Sequence, residues 1–170
     1  MNVLRSTTRL EWWLLPWLLL LSICALPTQE GSTGMSSSET PSPFEEMLSG
    51  FERCDFRDVY LDLETGKPVH PYLLERGLEP CEISDELAYF CIDEEFHGLP
   101  VSRLMVPAST FDLHGLFIDL PLAQARSISK ARLGSEFRED QDSADGKAPE
   151  LLPDPQDPNR SVLMCNQKAV

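Results

Sequence analysis

The residues able to do chemistry fall into four groups, each read here from residue type and spacing. Glu79, Glu82, Asp85, Glu86, Asp93, Glu94 and Glu95 crowd one stretch of chain. Calcium would need oxygen ligands alternating through a loop with a distal Glu. Asp93-Glu94-Glu95 lacks that alternation, so the cluster reads as a solvated face. Cys81, Cys91 and His97, with His70 or His114, could in principle hold zinc. Structural zinc sites show a close Cys pair, and none occurs, so no metal is expected. There is no G-x-S-x-G elbow, no H-E-x-x-H and no glycine-rich phosphate loop. Carboxylate pairs are abundant, but 28 acidic residues make any such pair uninformative. His114 lies in an apolar run and reads as a core histidine. The expectation is no catalytic residue, no cofactor and no enzyme. Arg126, Lys130 and Arg132 form a basic cluster, Arg126 and Lys130 being one helical turn apart. They are candidates for contact with an acidic partner, a polyanion or the acidic C-terminal segment.

The cysteines take their meaning from compartment. Arg5 and Arg9 precede an apolar run from Trp12 to Ile23, followed by Cys24, Ala25 and polar residues. That order predicts a secretory signal peptide over 1–25, cleaved after Ala25. The alternative is a signal anchor at the cell surface, but the run is short of the roughly 20 residues a span needs, and Pro16 interrupts it. In an oxidising compartment, Cys54, Cys81, Cys91 and Cys165 are disulfide candidates. Two of the first three are expected to bridge. Cys165 then either ties its segment to the third or links two chains, so the product is a monomer or a Cys165-linked dimer. Asn159-Arg160-Ser161 is an N-glycosylation acceptor, which makes Asn159 a candidate glycan site.

The composition is that of a globular chain. Its 170 residues are 42% hydrophobic and 25% charged, with a net charge of −14 and a pI near 4.5. A nucleic-acid or anionic-membrane binder needs clustered cations, so those partners are excluded.

The elements that must hold these residues can be read in order. Residues 26–41 read as a flexible leader. Ser42, Pro43 and Glu45 make a capping box for a helix. Phe44, Met47, Leu48 and Phe51 then recur at i, i+3, i+4 and i+7, giving one apolar stripe and a candidate partner contact. Val59, Leu61 and Leu63 alternate as a strand, with a turn at Gly66 and a return over 67–74 as an edge strand. Ser84 reads as the cap of a helix running to about Phe96, with Cys91 on its buried side and Gly98 as its stop. Residues 101–106 and 110–120 read as strands, with Phe111, Leu113 and Phe117 on one side. Leu122, Ala125, Ile128 and Leu133 predict a helix stopped by Gly134. The last 36 residues hold eight acidic and four basic groups and four Pro, and are expected to be a disordered acidic tail, 135–170.

Together these give a small disulfide-stabilised α+β domain over 42–134, with a short antiparallel sheet and two or three helices. The expected function is a secreted, non-enzymatic binding protein acting on an extracellular or cell-surface protein, with no membrane span once the signal is removed. A small secreted enzyme or protease inhibitor is the alternative, with Leu99-Pro100-Val101-Ser102-Arg103 as its candidate loop.

Overall fold

In the computed structural model, residues 40–109, 112–138 and 148–166 are described. All belong to the unit Glu39–Val170. The signal peptide and most of the leader expected from the sequence, together with Phe111, lie outside the described residues.

The capping box forms as its residues dictate. The Ser42 N–H donates to Glu45 Oε2 at 2.9 Å and the Glu45 N–H to Ser42 Oγ at 3.1 Å, opening helix α1, Pro43–Met47. The helix stops early because Gly50 turns the chain at φ 92°, and a 3-10 turn follows over Phe51–Arg53. An added Cβ at Gly50 would sit 2.0 Å from the Asp55 carbonyl oxygen, so only glycine fits. Phe44, Met47, Leu48 and Phe51 are 1%, 4%, 0% and 0% exposed. Their expected role as a partner contact is therefore overturned, because they are core and offer no surface.

β1 (Leu61–Asp62) and β2 (Lys67–Pro68) form a short hairpin. Its turn is built by Asp62, whose carboxylate accepts from the Glu64 N–H at 2.8 Å and the Thr65 hydroxyl at 3.0 Å. The return strand expected over 67–74 stops at Pro68. Pro71 instead opens helix α2, Pro71–Glu75, with His70 as its cap.

The largest correction lies at 82–96. The expected helix is a β-hairpin, β3 (Glu82–Ser84) and β4 (Leu87–Phe96), turning at Asp85-Glu86 with Asp85 at φ 53°. Ala88 and Phe90 face the core while Cys91 is exposed, the period of two that a strand requires. β5 (Leu99–Pro107) returns along β4. His97 and Gly98, at φ 50° and 83°, supply the paired positive-φ residues that a tight two-residue hairpin needs. Gly98 thus ends no helix. β6 (Leu113–Ile118) and α3 (Leu122–Leu133) follow as expected, α3 stopping at Gly134 with φ 76°.

The described parts of the segment expected to be a disordered tail, 135–138 and 148–166, belong to the fold. β7 (Glu150–Pro153) and β8 (Ser161–Asn166) complete a six-stranded antiparallel sheet ordered β3-β4-β5-β6-β8-β7. Leu151, Leu163 and Cys165 are fully buried and Phe137 nearly so. Few aliphatics suffice here because the neighbouring strand supplies backbone partners and the rest of the chain supplies the core. Residues 139–147 and 167–170 lie outside the described residues.

Two disulfides join Cys54 to Cys165 and Cys81 to Cys91. The first ties the 3-10 turn to β8 and places Cys165 in a bridge within the chain. The fold is α+β, with the buried apolar helical side chains Phe44, Met47, Leu73 and Ala125 in one cluster with Phe90, Leu104, Leu116, Leu151 and Leu163 of the sheet.

Candidate functional site

The histidines considered for chemistry each hold structure. His70 Nδ1 accepts from the Tyr72 N–H at 3.2 Å. The His97 N–H donates to Glu45 Oε1 at 2.9 Å, in a cleft of about 370 Å³ lined by Ser42, Glu45, Glu95, Gly98 and Arg132. Burial alone would raise the Glu45 pKa, but the hydrogen bonds from Ser42 and His97 outweigh it and hold the carboxyl below its usual range. His114 is 4% exposed, packs edge-on to Phe56 and lies 2.8 Å from the Val59 carbonyl oxygen through Nε2. Burial depresses its pKa to about 4, so the ring is neutral at pH 7 and Nε2–H is the donor. Among the described residues, no group of three His, Cys, Asp or Glu is placed to hold a metal ion.

The basic trio separates. Arg126 donates to the Leu151 carbonyl at 3.1 Å, Lys130 to the Gly134 carbonyl at 3.2 Å, and Arg132 lies beside Gly98. Arg126 thus reaches β7, within the acidic segment. Leu99–Arg103 is not an exposed loop. It lies within β5 between β4 and β6, with Leu99 and Val101 buried. Asn159 is exposed in the β7–β8 connection, which is held by Asp154 and Asp157 accepting from the Gln156 and Asn159 N–H groups at 2.9 Å each and by Arg160 paired with Asp154 at 3.0 Å.

What the topology does assemble is the second face of the sheet. Cross-strand partners share a face, and the register sets Glu82, Tyr89, Met105, Gly115, Met164 and Glu150 in one row across all six strands. The adjacent row is Cys91, Arg103, Phe117, Val162 and Leu152. Both rows lie opposite the core-facing Phe90, Leu104, Leu116, Leu163 and Leu151. Met105 and Val162 are buried to 4% and 5% yet stand apart from the core cluster. Tyr89, Phe117 and Met164 are half-buried, and Leu152 is 37% exposed. Met105 and Met164 close over Gly115, where an added Cβ would meet Met105 Cε at 2.9 Å and Met164 Sδ at 3.3 Å.

Arg103 lies across this surface. Its guanidinium carbon is 5.5 Å from the Tyr89 ring centre and 5.4 Å from that of Phe117, and Nη1 is 3.6 Å from Glu82 Oε2. Burial, then the Glu82 charge, raise the Tyr89 pKa against the opposing pull of Arg103, so the phenol stays neutral. The two sheet edges differ. On β7 the Leu151 N–H donates to the Phe137 carbonyl at 2.7 Å and its own carbonyl accepts from Arg126. β3 carries Ile83 at 57% exposure.

Sequence reasoning missed Tyr89, Arg103, Met105, Phe117 and Met164 as one surface. The available signal was the period-two alternation in 87–91 and 162–164, hidden by the helix reading of one and the tail reading of the other. Comparison with family profiles, with curated proteins and with solved structures finds no match for this chain. Among the described residues no helix is long and apolar enough to cross a membrane.

Proposed function

We propose that the chain is an exported, non-enzymatic binding protein that engages an extracellular protein through the second face of its sheet. The observation that carries this reading is the make-up of that face. Protein interfaces are enriched in aromatic residues, Met and Arg and depleted of Lys, Glu and Asp at their centres. Half-buried Tyr89, Phe117, Met164 and Arg103, packed over buried Met105, follow that pattern in a chain with 28 acidic residues. Export is supported by the order of Arg5, the Trp12–Ile23 run and Ala25. The two disulfides are compatible with an oxidising compartment outside the cell.

The test has two parts. The intact mass of protein released by expressing cells should match a chain beginning at Leu26 with no free thiol. Phe117→Ser should then still unfold cooperatively, at a Tm lowered by the lost packing on Tyr89 and Arg103, while losing capture of a partner from the native extracellular medium; Leu152→Ser, at 37% exposure, should weaken capture with a smaller Tm loss. Retained capture by a folded Phe117→Ser chain refutes the contact surface, and retention of Arg5 in the released protein refutes cleavage.

A further inference from the structure

Resting on that reading, we infer the chemistry of the partner: a basic protein surface, an apolar strip flanked by Lys or Arg, lies across the row from Glu82 to Glu150. The row presents half-buried Tyr89 and Met164 on either side of buried Met105, and it is acidic at both ends. Five inter-strand spacings of about 4.8 Å place the two carboxylates about 24 Å apart, the reach of a single docked surface. Arg103 and Glu82 share a loose pair at 3.6 Å, but the Arg103 side chain is 27% exposed and lies over the Tyr89 and Phe117 rings, whereas the Glu82 side chain is 51% exposed. The carboxylate is therefore the accessible member of the pair, and Arg103 is ill placed to receive a partner's carboxylate.

Charge complementarity also decides against the other occupants. A two-fold pairing with a second copy would set Glu82 against Glu150 at both ends, between chains of net charge −14. An anionic lipid surface meets the same repulsion. A partner with cations at its rim gains at both ends, and the apolar centre is shielded from water.

The probe is a labelled peptide of alternating Leu and Lys, with Leu-Ser and Leu-Glu peptides as controls, titrated by fluorescence anisotropy into the full released chain. The Leu-Lys peptide should bind saturably. Glu82→Gln with Glu150→Gln should weaken it about tenfold, whereas Glu64→Gln with Glu75→Gln, two exposed acids away from the face, should change it less than about twofold. Phe117→Ala should weaken it about 30-fold, and Leu152→Ser should weaken it in the same direction if Phe117→Ala fails to fold. Equal weakening by the two acid pairs overturns the inference, since the attraction would then be diffuse. Equal, Phe117-dependent binding of Leu-Ser and Leu-Lys leaves the face as a contact surface and overturns its basic partner. Binding of the Leu-Lys peptide that ignores both Phe117 and Leu152, or no saturable binding of it, overturns both. A sedimenting dimer that Phe117→Asp dissociates assigns the face to a second copy and overturns the inference as well.

Discussion

Removing the two disulfides separately should give unequal losses, and the inequality can be worked from the loops they close. Cys54–Cys165 spans 111 residues and Cys81–Cys91 spans 10. In the chain-entropy account, those loops restrict the unfolded state by about 4.8 and about 2.7 kcal/mol respectively. Burial widens the gap. Cys54 and Cys165 are 4% and 0% exposed, so alanine at both leaves unfilled volume worth about 1 kcal/mol per site, while Cys81 and Cys91 are exposed. For the unit Glu39–Val170, unfolding entropy of about 2 cal/mol/K per residue converts the loop terms into Tm losses of about 17 °C and about 10 °C. Cys54→Ala with Cys165→Ala therefore removes much of an ordinary stability of about 5–15 kcal/mol.

The assay is thermal unfolding of the two double variants by circular dichroism, with urea titration as a second measure of the same difference. Thiol labelling under mild reductant adds an independent reading, because the exposed pair should open before the buried one. Equal Tm losses, or a larger loss for Cys81→Ala with Cys91→Ala, would refute the reasoning. The constraint on the unfolded chain would then not be what these bridges supply.

Three further outcomes follow from single residues. His114 has its folded pKa depressed to about 4 against about 6.5 when unfolded. The unfolded chain thus binds the extra proton between those values, and stability present above pH 6.5 falls by about 3 kcal/mol as pH drops toward 4; His114→Phe should flatten that slope in urea titrations across the window, and an unchanged slope would exclude His114 as its source. Asn159→Gln and Ser161→Ala should both abolish a glycan in secretory expression, seen as loss of the glycosidase-sensitive mass, but only Ser161→Ala should lower stability, by about 1 kcal/mol, because the Ser161 hydroxyl is buried and donates to the Leu120 carbonyl at 3.0 Å. Gly50→Ala should cost more than Gly134→Ala by at least about 1 kcal/mol, since both have positive φ but only the first meets backbone, at 2.0 Å from the Asp55 oxygen; equal Tm values for the two variants would refute it.

The parts of this fold legible in the sequence are those whose signals are local. Ser42 and Glu45 bond to each other across one turn, and Gly134 ends α3 by its own φ, so each could be read from a few adjacent residues. The 82–96 segment is ambiguous in sequence because two periods fit it. Ile83, Leu87, Phe90 and Glu94 satisfy a helical stripe, while Ala88, Phe90 and Ile92 satisfy a strand. The run Tyr89-Phe90-Cys91-Ile92, rich in aromatic and β-branched residues, is what should have decided between them. The C-terminal segment failed for a different reason. Composition averaged over 36 residues hides strands of four and six residues, and a strand needs only a partner of the right register, which Leu116 and Phe117 of β6 provide to Leu163 and Val162. The second face of the sheet inherits both difficulties. It draws one side chain at a time from strands between Glu82 and Met164, so no contiguous motif encodes it. Its chemistry requires β8 to lie in the sheet beside β6, and the Cys54–Cys165 bridge fastens β8 there. A surface of this kind is specified by register: β8 is paired on both sides, to β6 and to β7, and that pairing brings residues far apart in the chain into one row.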